Sequence, residues 1–346
     1  MTDPPEDGLQ EPVSPPESGS LHAGTTPAFD SLNEQAAAFS PIASQASQST
    51  PPAFSYAPPS SSEPTLFYSY AQPPVRRFVR IPNFGHLLLL SLLLIIAFSI
   101  TSVVMVAVMH FHLFGWVLSR KTATDIGFNL AFQGLIYIFT FGLSLIVFPL
   151  IWKEGYFRGL QWHGEVARTR FRLLVGTASA CFGLAILDQF VMPGPPNAPI
   201  EKMISSPGAA WIMFAFGVTA APFFEEMFFR GFMLPAFCTA CDWAAEKEIG
   251  RLPRPLDATG HPQWSMPAMI IGSIATSIPF ALLHVAQQGH SLGPFVLIIL
   301  VSMILCAVRL KTKSLAASTL VHACYNFLLF CIELIFTGGF RHFDKM

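Results

Sequence analysis

Ala221-Pro-Phe-Phe-Glu-Glu-Met-Phe-Phe-Arg-Gly-Phe232 places two carboxylates and a guanidinium inside a run that is otherwise apolar. At bilayer depth such groups cost several kcal/mol unless they face one another, water or a metal, so charges in that position mark function. Glu225 and Glu226 are neighbours, so on a helix they point about 100° apart and cannot do the same job. Arg230 follows Glu226 by four residues, on the same face, where an acid preceding a base pairs well. Glu226 reads as the paired, orienting carboxylate and Glu225 as the one left to face a reaction centre. Pro222 removes a backbone donor and loosens the helix just before the pair.

The chain around this stretch is built for lipid. Of its 346 residues, 52% are apolar and 12% charged, and mean hydropathy is +0.50. This is the composition of a polytopic membrane protein. Seven spans are expected, over 87–108, 128–152, 173–192, 209–236, 266–285, 294–310 and 314–336. The fold class is therefore all-α, a transmembrane helix bundle.

Before the spans lies a different composition. The first 75 residues hold 14 of the 29 prolines, many serines and no Lys or Arg. Such a segment buries too little apolar surface to offset its ordering entropy, so residues 1–80 are expected to form a disordered tail. No early basic and apolar pair of regions marks a cleavable signal peptide, so the first hydrophobic run is expected to remain as an anchor. Residues 81–172 then comprise two spans and a basic loop, and 173–346 a catalytic membrane domain. Summing Lys and Arg over alternate loops gives 14 on one side and 5 on the other, with Arg230 inside a span. That asymmetry predicts a cytoplasmic N-terminus, in an integral multi-pass protein of the plasma membrane. The segment 161–172 is basic and partly amphipathic, read either as a surface helix or as a plain charged loop. The bilayer is the expected environment, and nucleic acid is not an expected partner at a net charge of -1.

Two further spans carry polar residues. Phe280-Ala-Leu-Leu-His284 ends the fifth span with an imidazole, and His322-Ala-Cys-Tyr-Asn326 puts an imidazole and an amide on one face of the seventh. A lone intramembrane histidine is usually a hydrogen-bonded packing residue. Two of them, an amide and an acid pair, each set on its own hydrophobic helix, are hard to account for by packing. Together they suit hydrolysis: a carboxylate takes a proton from water, imidazoles orient the water or bind a metal, and the amide stabilises an oxyanion. Carboxylate and neutral imidazole are also ordinary zinc ligands, so a divalent metal held by Glu225, His284 and His322 and a direct glutamate base both stay open.

The ordered set Glu225-Glu226-x-x-x-Arg230, Phe280-x-x-x-His284 and His322-x-x-x-Asn326 resembles the motifs of the CPBP family, the CAAX protease and bacteriocin-processing intramembrane endopeptidases related to type II CAAX prenyl endopeptidases. The resemblance covers about residues 170–336. It implies an endopeptidase whose site lies within the bilayer and whose substrate is a membrane-associated protein or peptide. It also implies Glu225 as base acting with His284, and His322 and Asn326 as further ligands or oxyanion stabilisers. Glu226 and Arg230 fix the helix. From another class, a non-catalytic scaffold or regulator would use the same polar pocket to hold a partner helix. A transporter would use it as an ion site, although no internal repeat supports that.

Competing signals are weaker. Gly289-His-Ser-Leu-Gly293 matches a nucleophile elbow in letters, but that motif needs a strand before it. There is no HExxH. Cys238 and Cys241 form one isolated CxxC, which reads as packing, and all six cysteines are expected as thiols. Asp188 and Glu333 lie near span ends and read as snorkelling or capping acids. One difficulty stands. His284 lies about 27 Å along the fifth span but His322 only about 12 Å into the seventh from the same side, at 1.5 Å per residue. Straight, full-depth helices would keep them apart, so tilted helices or a break near Pro279 are required.

Overall fold

The computed structural model describes residues 82–123, 125–193, 207–250, 254–255, 257 and 263–341; the tail expected over 1–80 lies outside them. All described residues fall within one compact unit, residues 73–346. Helices α1 (Phe84–His110), α2 (Arg120–Ala123), α3 (Ile126–Trp152), α4 (Tyr156–Gly159), α5 (Gly164–Thr169) and α6 (Phe171–Val191) come first. They are followed by α7 (Pro207–Val218), α8 (Ala220–Glu226), a π-helical segment (Met227–Met233) and α9 (Leu234–Glu248). Then come α10 (Met266–Val285), α11 (Leu292–Thr312) and α12 (Leu315–Phe336). The described residues contain no strand. Among the described residues seven helical runs are long and apolar enough to cross a membrane, and the chain is an all-α, multi-pass membrane bundle.

Local chemistry marks the helix ends. Asn83, Asp125, Ser265 and Ser314 each accept a backbone N–H of the helix they precede, which removes one orphan donor per helix. Lys153 and Lys313, at φ 55° and 51°, turn the chain out of α3 and α11.

The fourth span departs most from expectation. It was predicted over 209–236, whereas the helical run continues from Pro207 to Glu248, 42 residues. Hydropathy locates the lipid-soluble part of a helix and says nothing of where the helix stops. The run is interrupted at Thr219 (φ -116°, ψ -74°). Pro222 has no N–H to offer the carbonyl four residues back, so the ladder breaks there as the sequence suggested.

The long run also removes the depth difficulty. α9 and α10 pack antiparallel: Ser265 N and Oγ donate to Asp242 Oδ2 (2.9 Å) and Oδ1 (2.6 Å), and Phe229 meets Phe280 edge-on at 5.0 Å. Between them Gly272 lies so close to Cys238 that a β-carbon would sit 2.6 Å from its sulfur. α12 is antiparallel to α8 and the π segment, starting with Leu315 against Gly231. Asp242 to Gly231 is 11 residues, so α10 begins about 17 Å below the start of α12 at 1.5 Å per residue. Subtracting that offset puts His284 and His322 both about 10–12 Å above Leu315. The fifth span overlays 266–285 as expected, with Pro279 inside a continuous helix.

Two buried clusters hold this arrangement. Leu90, Phe148, Tyr156, Leu160, Phe232 and Leu315 join α1 and α3 to the π segment. Leu174, Cys181, Leu305, Val321 and Tyr325 join α6, α11 and α12. The 161–172 segment is not a simple surface helix. Only 164–169 is helical before α6, and Gln161 is buried, where it accepts from Arg309 Nη2 at 2.8 Å.

Candidate functional site

Glu225 and Glu226 end α8, and the π segment carries the chain past them. A π turn is rare and concentrates at functional sites; here it leaves Arg230 beneath Glu226. Glu226 and Arg230 are fully buried, and Arg230 Nη1 donates to Glu226 Oε1 at 2.8 Å. This is the pairing expected from spacing. Taking two charges from water costs about as much as their attraction returns, and a well-packed apolar pair would serve stability as well. The pair is better explained by what it positions.

What it positions is His322. Its Nδ1 lies 3.0 Å from the same Glu226 Oε1, and its Nε2 lies 3.7 Å from Glu225 Oε2. One imidazole from α12 thus spans both carboxylates of α8. His322 is 5% exposed and Glu226 0%, while the Glu225 side chain keeps 19%. Of the two acids, Glu225 is the one reachable from outside, as the 100° separation predicts.

The Phe280 ring organises the rest. Arg230 Cζ stands 4.5 Å above its centroid, a cation–π arrangement favoured where water is excluded. His284 and His322 flank the same ring, with centroids at 4.8 Å and 5.9 Å. His284 Nδ1 is 2.8 Å from the Phe280 carbonyl oxygen, so it donates there and leaves Nε2 available. His284 therefore enters the site's surroundings, yet it makes no ion pair with either glutamate; the imidazole within reach of Glu225 is His322. Asn326 Nδ2 donates to the Gly217 carbonyl oxygen at 2.8 Å. That carbonyl lies at the break before Thr219, so Asn326 ties α12 to the kink that carries the glutamates.

Three residues escaped sequence reasoning. Ser302 Oγ and O accept from Arg230 Nη2 at 2.7 Å and 3.1 Å, and Ser302 Oγ donates to Ser277 Oγ at 2.9 Å. Tyr137 of α3 faces Phe224 at 4.6 Å and accepts from Gln133 Nε2 at 2.8 Å. Serine and tyrosine in a membrane helix are too common to single out from sequence alone.

A metal would need firm donors gathered together. Among the described residues no three of His, Cys, Asp and Glu gather closely enough to hold one. Glu225 and His322 approach each other, His322 Nδ1 is committed to Glu226, and His284 spends its Nδ1 on the Phe280 carbonyl oxygen. As placed, these side chains do not make the three-donor set that zinc prefers. The described cysteines are all free, and Cys238 packs against Gly272. The Gly289–Gly293 stretch is a turn at positive φ leading into α11, preceded by helix α10.

Residues 207–328 match the family model described as type II CAAX prenyl endopeptidase Rce1-like. The match contains all six candidate site residues and ends within α12. Comparison with curated proteins and with solved structures gave no match.

Proposed function

We propose, from the Rce1-like endopeptidase domain that residues 207–328 carry, that this chain is an intramembrane protease in which Glu225 activates water for peptide-bond hydrolysis. The observation that supports the reading best is the bridge of His322 between Glu226 and Glu225. With its proton on Nδ1, directed at the Glu226 carboxylate, His322 presents a bare Nε2 beside Glu225. Two acceptors cannot bond each other directly, and at 3.7 Å apart they are close enough to share a water that donates one hydrogen to each. Such a water keeps a lone pair for the scissile carbonyl carbon. Glu225 takes its proton as the C–O bond forms, and returns that proton to the leaving amine as the C–N bond breaks. His284 Nε2 and the second Asn326 hydrogen are the groups proposed to support the tetrahedral oxyanion.

The proposed substrate is a membrane-associated protein or peptide, and the description of the matching family makes a prenylated C-terminal peptide the first one to try. The residues as placed do not favour a metal, so no step passes through one. The charge asymmetry of the loops supports a cytoplasmic N-terminus, and both that orientation and a plasma-membrane location are part of the proposal. The test uses purified protein in bicelles with a prenylated C-terminal peptide. Glu225→Gln and His322→Ala should each cut turnover by about 10²-fold or more, and His284→Ala by a smaller factor. If all three cleave like the wild type while a partner helix is still captured, the pocket is a binding site and the catalytic reading fails.

A further inference from the structure

Arg230 is held from two sides, and only one of them belongs to the motif that includes it. Its Nη1 serves Glu226, while its Nη2 is received by the side chain and the carbonyl of Ser302 on α11. Ser302 is itself fully buried, and its hydroxyl hydrogen is spent on Ser277 Oγ of α10, also fully buried. The direction is set by chemistry. A guanidinium only donates, so Ser302 Oγ must accept from it, and its own hydrogen is then free for Ser277.

We infer that Ser302, backed by Ser277, is a positioning residue for the proteolytic site, acting through Arg230 and Glu226 on the bridging imidazole. The inference rests on the catalytic reading given above. The relay joins α10, α11, the π segment, α8 and α12 through contacts of 2.9, 2.7, 2.8 and 3.0 Å. The other restraints on Arg230 are softer: its Nε is buried without a partner, its planar face rests on the Phe280 ring, and its remaining polar neighbour on α11 is the weakly accepting Cys306 sulfur. Without the Ser302 hydroxyl, the guanidinium retains on that side only the longer bond to the Ser302 carbonyl and the weak Cys306 contact, and it can pivot about Nη1. Glu226 follows it, and His322 Nε2 leaves its place beside Glu225. Loss of alignment of about 1 Å at a reacting centre costs on the order of 10²-fold in rate.

Ser302 and Ser277 touch neither Glu225 nor His322, so their effect should fall on kcat with KM nearly unchanged. A packing role alone would instead lower yield and stability. Ser302→Ala is expected to reduce kcat by about 10–100-fold, and Ser302→Thr, which keeps the hydroxyl, should recover most of it. Ser277→Ala should cost less by itself and add nothing in the Ser302→Ala background, because it acts through Ser302. Each variant is measured beside Glu225→Gln in the same bicelles, with its melting temperature. If Glu225→Gln cleaves like the wild type, the catalytic reading itself falls. If Glu225→Gln is inactive while folded Ser302→Ala turns over normally, or if the two serine effects simply multiply, the positioning role is refuted and the catalytic reading stands.

Discussion

The contact between Gly272 and Cys238 sets the depth of the site, and a single methyl group tests it. A β-carbon on Gly272 would lie 2.6 Å from Cys238 Sγ, 3.2 Å from its backbone N and 3.5 Å from its Cα. Cys238 is fully buried in a cluster with Leu234 and Cys306, so its sulfur has no open space to swing into and its backbone is fixed. Bringing the sulfur contact alone from 2.6 Å to 3.4 Å of ordinary contact asks for about 0.8 Å of separation between α9 and α10. Overpacking of this kind costs about 1–3 kcal/mol, against a gain of about 1 kcal/mol from replacing a mid-helix glycine by alanine. Gly272→Ala should therefore destabilise by about 0–2 kcal/mol. Gly176 supplies the control, since it lies inside α6 with nothing within 4 Å of its β position. There the same substitution keeps only the favourable term, up to about 1 kcal/mol. Reversible unfolding in mixed detergent–lipid micelles measures both. The same separation moves Phe280 and its two imidazoles relative to Phe229 and the glutamates, so Gly272→Ala should also lose about 10–100-fold in cleavage. If Gly272→Ala is as stable as Gly176→Ala and cleaves at the wild-type rate, the argument that this approach sets the register is wrong.

Other outcomes follow from the same contacts. Arg230→Lys can still reach Glu226, but one ammonium cannot also serve Ser302 or lie flat on Phe280, so a loss of about 2–3 kcal/mol is expected in the same unfolding assay. Asp242→Ala removes both acceptors from Ser265 and should cost about 2–4 kcal/mol, with backbone amide exchange rising first at the start of α10. Treatment with a strong chelator should leave cleavage intact under the direct-glutamate reading; loss that zinc alone restores would favour ligation by Glu225, His284 and His322. Burial pushes the Tyr156 phenol up, so the folded protein keeps that proton after the unfolded chain has begun to release it. Its contribution is fully present below about pH 10 and is lost as pH rises further, a decline that Tyr156→Phe should abolish.

Much of this protein is a local property of its sequence. Twenty apolar residues in a row specify a span wherever they occur, and the seven spans lie where hydropathy places them to within a few residues, apart from the end of the fourth. The Glu226–Arg230 pair and the different exposures of Glu225 and Glu226 are equally local, because both follow from angular spacing on one helix. The break before the glutamates follows from Pro222. The bridge made by His322 is of another kind. It joins residues 96 apart in the chain, and it exists only because α12 begins level with Gly231; the matching depth of His284 depends in turn on α10 beginning level with Asp242. That offset depends on how far a helix continues beyond the membrane and on where Gly272 lets two backbones approach. Ser302 and Ser277 are ordinary residues in sequence and acquire a role only when α11 and α10 close around Arg230. The sequence by itself determined which groups are present and the face of the helix each occupies. Tertiary structure decided which of them meet, since relative helix depth is set by packing between segments and leaves no periodic mark on any one of them.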